Sequence, residues 1–351
     1  MSVLYLLILS ALMFVDLQTA REYLAGIDSN LKTGPVVVEK NYAEDCRFYT
    51  PDLDHPFYNF WDRVDIFMTA HFLGWLVKAL VIREWRLLWI SSLLFEWMEV
   101  SLKHLLPNFY ECWWDHWILD VFGCNLAGIV IGLWLCNRFN MKHFDWRTAP
   151  PSWGSFLSSR VKFSSFEIYS WPPFLSDVRT YGLLLGYIAT VQLVDLNVFF
   201  LKYLLVLPTS HPIVVVRTIF LGVVAASGTR DYYEYLTNPN QARIGQQAWL
   251  NTAMLCSEIV LIIRFGREVF IDPPPCEPFI INLWWGALVV VILGFFVAYR
   301  NGGWSPRHSR SLARKASFNR TDSENAGVQA EMELIVTESE TGQKVKLVKA
   351  E

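Results

Sequence analysis

Eight stretches of this chain are apolar and close to the length of a bilayer crossing, and that limits the fold before anything else does. About 18 apolar residues span the hydrocarbon core. Segments 2–17, 66–82, 85–102, 117–136, 180–207, 212–228, 247–264 and 280–299 qualify or come near it. Composition agrees. Hydrophobic residues make up 53% of the chain and charged residues 18%, against roughly a quarter charged in an ordinary soluble domain. The 16 Trp residues suit a protein with many membrane–water boundaries. The expected fold is all-α: a polytopic membrane protein of about eight transmembrane helices. Residues 1–300 form one multispanning catalytic domain, and 301–351 a polar, disordered cytosolic tail. A net charge of −3 gives no reason to expect a nucleic-acid partner, and no phosphate loop or dinucleotide fingerprint is present.

The run at 2–17 lacks the basic residues that precede a signal peptide's apolar core, so it reads as a membrane helix. Segment 180–207 is long enough to be tilted, broken or extended past the membrane. The basic, aromatic loop 137–179 suggests an amphipathic piece at the interface. In the tail, Asn319-Arg320-Thr321 is a glycosylation sequon, and Arg314-Lys315-Ala316-Ser317 resembles a phosphorylation site. Counting Lys and Arg places 83–86, 137–162, 229–243 and 300–315 on the cytosolic side. Loops 18–65, 103–116 and 265–279 then fall opposite. Of the six Cys residues, Cys124, Cys136 and Cys256 lie in apolar runs and read as small buried hydrophobes. Cys46 and Cys276 lie in loops and would be able to pair if both are lumenal.

Ionisable groups inside membrane segments are costly and mark sites. Here they concentrate between residues 71 and 125. His71 and Lys78 share a helix face with Trp75 between them. Glu96 and Glu99 sit three apart on the next helix, with Lys103 as a local ion-pair partner for Glu99. Then comes H-L-L-P-N-F-Y-E-C-W-W-D-H-W-I-L-D, residues 104–120. Read as one α-helix beginning near Asn108, it places Asn108, Glu111, Asp115 and Asn125 in one sector, with His116 and Asp120 opposite. Such a helix splits the polar set. Either the chain bends near Trp113-Trp114, or Asp120 serves a second site or a hydrogen bond to His116. Glu96, Glu99, Glu111, Asp115, Asp120 and Asn125 are all oxygen donors, which suits Ca²⁺ ahead of Mg²⁺ or Mn²⁺ and disfavours zinc. His71 is placed to act as a general base. Asp195, Asn197, Lys202 and Glu258 are further intramembrane polar groups, for which a structural role and a functional one weigh equally. Gly128-x-x-x-Gly132 signals close helix packing.

The segment from His71 to Asn125 resembles the base-exchange phosphatidylserine synthases. The resemblance is carried by H-F-L-G-W-L-V-K-A-L-V-I-R, F-E-W-M-E and L-P-N-F-Y-E-C-W-W-D, with N-Y-A-E-D-C and N-F-W-D upstream. D-L-N-V-F-F-L-K, R-D-Y-Y-E-Y-L and G-Q-Q-A-W-L continue it downstream, so it covers about residues 16 to 266. It implies a multispanning enzyme of the endoplasmic reticulum, including its mitochondria-associated part, that exchanges a phospholipid head group for L-serine with Ca²⁺ and no nucleotide. It implies His71 as the catalytic base, with Asn108 and Asp120 also catalytic. Glu96, Glu99, Glu111, Asp115 and Asn125 are implied as the metal-holding set. D-H-W-I-L-D and Q-A-W-L are similar to the type-2 branch, which uses phosphatidylethanolamine; the type-1 branch also accepts phosphatidylcholine. The expected partners are phosphatidylethanolamine, L-serine and the membrane, with a second copy of the chain as a candidate. Members of the family begin with a further cytosolic segment and helix, so this chain is expected to start inside their second helix. An ion or amine transporter would show inverted repeats, and none is apparent. The D-G-x-x-A-R signature of CDP-alcohol phosphotransferases is absent.

Overall fold

The computed structural model describes residues 2–28, 31, 43–52, 55–64, 66–139, 142–143, 167–168, 171–208, 211–238 and 241–304. The polar tail with Arg314, Ser317 and Asn319, and most of the loop expected to be amphipathic, lie outside the described residues. The chain runs through α1 (Ser2–Leu12), α2 (Leu17–Ile27), α3 (Tyr58–Arg63), α4 (Ile66–Ile82) and α5 (Trp85–Leu102). A short 3-10 turn (Pro107–Phe109) leads to a π-helical segment (Asp115–Asn125) that passes directly into α6 (Leu126–Arg138). Then follow α7 (Val178–Leu205), α8 (Pro212–Thr237), α9 (Gln246–Phe265), α10 (Arg267–Ile271) and α11 (Pro278–Gly302). The extended pairing among the described residues is two residues long, β1 (Lys142–His143) beside β2 (Glu167–Ile168) in parallel. The other regular elements among the described residues are helical.

Seven of the eight expected apolar segments fall on helices over most of their length, whereas 2–17 is helical only to Leu12 before α2 begins at Leu17. Five of these, including the joined Asp115–Arg138, are long and apolar enough to cross a membrane. Helices α1 and α4 are apolar but shorter, and α5 carries Arg86, Glu96 and Glu99. The protein is thus a multi-pass membrane protein, and a count of eight crossings exceeds what length and composition alone support. Helix α7 is unbroken over its 28 residues, about 42 Å at 1.5 Å per residue, so it outlasts a hydrocarbon core of about 30 Å. Its start is fixed by Asp177, whose side chain accepts from the Thr180 backbone N–H. Helix α11 has an almost wholly exposed apolar surface, with Trp285, Val290 and Phe296 each above 60% exposed. That suits a helix facing lipid tails.

Contacts between loops and helix ends fall into two groups. Cys46 is disulfide-bonded to Cys112, and Lys103 pairs with Glu277 at 2.7 Å. Those links join 18–65, 103–116 and 265–279. On the other side Trp171 Nε1 donates to the Ile82 carbonyl, Asn301 Nδ2 to Leu175 and Arg179 Nη2 to Tyr235. Cys46 is thus paired with Cys112 and not with Cys276, a pairing that the sequence left open, and Cys276 is free. Cys124 and Cys136 are buried as expected, whereas Cys256 is exposed, because it lies on the outward face of α9.

Helices α4 and α6 make the tightest crossing. A Cβ at Gly128 would lie 2.5 Å from the Phe72 carbonyl oxygen, and one at Gly132 would lie 2.6 Å from Ala79 Cβ. Without Cβ atoms there, the two backbones come close enough to bring His71 on α4 beside the end of the π-helix. Gly128→Ala therefore meets backbone that cannot rotate away. The expected loss is about 1–3 kcal/mol of stability, read as a lower melting temperature in detergent. An unchanged melting temperature would contradict this packing.

Candidate active site

The polar set that an α-helical reading divides is reunited by the π-helix. With i→i+5 hydrogen bonds, residues five apart lie nearly above one another. Asp115, Asp120 and Asn125 are spaced by five, so all three share one face, and His116 lies beside them. All four are buried, with Asn125 fully so. The helix begins later than Asn108. Leu106 before Pro107 is extended, and the segment from Pro107 to Phe109 is only a short turn, as the restriction on residues before proline requires.

Across from this face stand Glu96 and Glu99, one turn apart on α5 and 3% and 2% exposed. Asn125 Nδ2 donates to Glu96 Oε1 at 2.8 Å. His116 Nδ1 is 3.3 Å from Glu96 Oε2, 3.8 Å from Glu99 Oε2 and 3.7 Å from Glu111 Oε2. His71 Nδ1 is 4.0 Å from Glu96 Oε1. A small, partly open cleft lies beside the cluster, lined by Arg63, Phe67, Met68, His71, Glu111, Asp115, Leu119 and Asp120. Arg63 Nε is 3.5 Å from Asp115 Oδ2, and its Nη1 is 2.8 Å from Asp62 Oδ2.

Seven of the eight residues expected at the site are thereby brought together. Asn108 is buried on the 3-10 turn but does not line the cleft. The suggested Glu99–Lys103 pair does not form, because Lys103 turns to Glu277 while Glu99 points into the cluster. Lys78 pairs with Asp195 at 2.8 Å and lies over the Trp75 ring. Asn197 and Glu258 belong to a separate buried network with Arg217 and Tyr5, which joins α1, α7, α8 and α9. His116 and Arg63 were not marked by sequence as site residues. The five-residue spacing of Asp115, Asp120 and Asn125 is the signal that would have placed His116.

The donor set, carboxylates with His116 among them, could hold a metal ion. Two groups, Glu96–His116–Asp120 and Glu99–Glu111–His116, each bring ligand atoms within 4.8 Å of one another. Glu99 Oε2, Glu111 Oε2 and Asn125 Oδ1 are buried without a hydrogen-bond partner, and a buried acceptor left so costs about 1–3 kcal/mol. Burial pushes the Glu111 carboxyl, on the loop before the π-helix, up to about 8. Five carboxylates packed this closely cannot all ionise without a positive charge among them.

The entrance of the site is tied down covalently. Cys112 lies between Glu111 and the Trp113–Asp115 turn, and Trp114 Nε1 donates to the Cys46 carbonyl at 3.0 Å. Asn59 Nδ2 donates to the carbonyls of Asp45 and Arg47, fixing the same loop to α3. The bond closes a sequence separation of 66. Cys46→Ser is expected to cost about 2–5 kcal/mol and to loosen the 111–115 turn. Limited proteolysis should then cut the variant faster between 43 and 64 than the wild type; equal cutting would contradict this role.

The chain belongs to the phosphatidyl serine synthase family, whose family model matches residues 1–266. It is 36% identical over 301 residues to phosphatidylserine synthase 2 of Danio rerio, covering 83% of this chain and 65% of that protein. With the Homo sapiens protein of the same name it shares 37% over 273 residues, 75% of this chain and 55% of the human protein. A protein of Oryza sativa subsp. japonica named CDP-diacylglycerol–serine O-phosphatidyltransferase 2 is 34% identical over 323 residues, covering 90% and 74%. The chain spans less than two thirds of the length of the two vertebrate proteins.

Proposed function

We propose that this protein is a calcium-dependent base-exchange phosphatidylserine synthase of the endoplasmic reticulum, replacing the ethanolamine of phosphatidylethanolamine with L-serine. The observation that carries the reading is the buried carboxylate cluster with His71 at its edge, open to one cleft. Family membership and the names of the vertebrate relatives support the product, phosphatidylserine. The Cys46–Cys112 bond supports an oxidising compartment on that side of the membrane.

Glu96, Glu99, Glu111, Asp115 and Asn125 would hold the Ca²⁺, with His116 and Asp120 beside them. When bound, the ion would offset charge on the phosphoryl oxygens. The chain's own groups do the rest. His71 takes the proton of the serine hydroxyl as its oxygen bonds to phosphorus. The bond from phosphorus to the ethanolamine oxygen breaks, and the leaving oxygen takes that proton back from His71. One phosphodiester replaces another, so little driving force is needed. Asn125, at the end of the π-helix, holds the Glu96 carboxylate that faces His71. Phe67, Met68 and Leu119 give the cleft apolar walls that limit water, the competing acceptor.

The name of the rice relative favours a second reading, in which CDP-diacylglycerol is the lipid donor. Labelled serine supplied to the purified protein in liposomes separates the two. Incorporation with phosphatidylethanolamine, abolished by chelator and restored by Ca²⁺, is expected. Incorporation with CDP-diacylglycerol alone would overturn the exchange reading in favour of the second.

A further inference from the structure

The short helix α3 has two unlike faces. Asn59 and Arg63, four apart, are buried; Asn59 ties down the loop before α3, and Arg63 lines the cleft. Tyr58 and Trp61 fall on the opposite side of the helix and are exposed, Trp61 by 63%. The loop before α3 exposes Phe48, Tyr49 and Phe57 as well. Their rings join into one surface: Tyr49 meets Phe57, Phe57 meets Phe48, Phe48 meets Phe60, and Phe60 meets Trp61, with centroids 5.6, 5.7, 5.8 and 5.3 Å apart. Phe48 also sets its edge against the buried Trp114, beside the Cys46–Cys112 bond. The surface is therefore held firmly, yet its outer side has nothing apolar to pack on within the described residues. So many large rings on one small element mark an interaction surface.

Two observations say what covers it. The exposed rings are mainly Phe, Tyr and Trp without aliphatic companions, the composition of a membrane–water boundary rather than of a helix among lipid tails. The place in the chain agrees, because α4 (Ile66–Ile82) begins three residues after Arg63 and exposes Leu73 and Val77 along its length. Helix α3 thus stands where the chain enters the bilayer. One edge of the loop stays polar, with Arg47 bridging Asp45 and Asp52. We propose that the aromatic face of α3 and its loop beds into the head-group layer of the leaflet on the cleft side, and so holds the cleft mouth at the depth of the phospholipid phosphates. Arg63 at the cleft and Trp61 in the leaflet then belong to one rigid turn. The effect on catalysis rests on the reading of a phospholipid as substrate; the position of the surface against lipid does not.

The test uses the full chain in phosphatidylcholine–phosphatidylethanolamine liposomes, with Cys256→Ser and Cys276→Ser removing thiols that compete for label. A fluorescent probe is attached through Trp61→Cys on the aromatic face or Asp52→Cys on the polar edge. Lipid spin-labelled at the head group is expected to quench the probe at 61 at least about threefold more than the probe at 52, and aqueous iodide to show the reverse order. Equal iodide quenching at both positions would overturn the proposal by placing the face in water. Shielding of the probe at 61 from both quenchers, with energy transfer between labelled chains, would overturn it in favour of a contact between two copies. In mixed micelles, Tyr58→Ser with Trp61→Ser should raise the KM for phosphatidylethanolamine, as its surface fraction, roughly 10-fold, and the KM for L-serine less than about twofold. An unchanged lipid KM, or an equal rise in both, would overturn the link to the cleft. If the wild type transfers no serine, the quenching still decides the proposal, and only the reading of the reaction fails.

Discussion

Replacing His71 with Gln is expected to lower serine transfer by roughly 10²- to 10⁴-fold, the range that a positioned general base supplies. Gln keeps a polar group near Glu96 but cannot take a proton. The substitution should spare the fold. His71 meets Phe95 only at a centroid distance of 6.3 Å, and the α4–α6 crossing is held by Gly128, Gly132 and the buried Trp75 and Ala79 rather than by the imidazole. Elution as a single species in detergent, together with near-complete loss of transfer, is the expected pair of observations. Transfer at the wild-type rate would remove His71 from the chemistry.

Replacing Glu99 with Gln separates a metal site from a structural cluster, because the two predict opposite signs. Glu99 is buried, its Oε2 lacks a hydrogen-bond partner, and Glu96, Glu111 and His116 surround it. If these carboxylates hold Ca²⁺, loss of one charged oxygen should raise the calcium needed for half-maximal transfer at least 10-fold, with activity partly regained at high Ca²⁺. If the cluster were only structural, removing a charge from a crowded acidic pocket would relieve repulsion. The variant would then melt higher and need no more calcium. Titrating Ca²⁺ against serine transfer and against melting temperature reads both.

The spans were legible because an apolar run of membrane length has few other readings, and α7, α8, α9 and α11 fall close to their expected places. His71, Glu96 and Glu99 stood out for a related reason: an ionisable group within such a run needs a partner. The arrangement from Asn108 to Asn125 was not legible at a period of 3.6. Asp115, Asp120 and Asn125 share a face only in the π-helix, and that geometry also draws His116 to Glu96. The Cys46 partner was hidden because Cys112 sits amid aromatic residues at the helix entrance, where no spacing rule applies. Nothing in the sequence marks Arg63; only the fold of α3 against the π-helix places it in the cleft.

The central claim is that one head group leaves for each serine that enters. The direct measurement is the ratio of ethanolamine released to serine incorporated by the purified protein, in liposomes of phosphatidylethanolamine with Ca²⁺. A one-to-one ratio that disappears with chelator and in His71→Gln is the predicted result. Serine incorporation without ethanolamine release, or release that does not depend on serine, would contradict it.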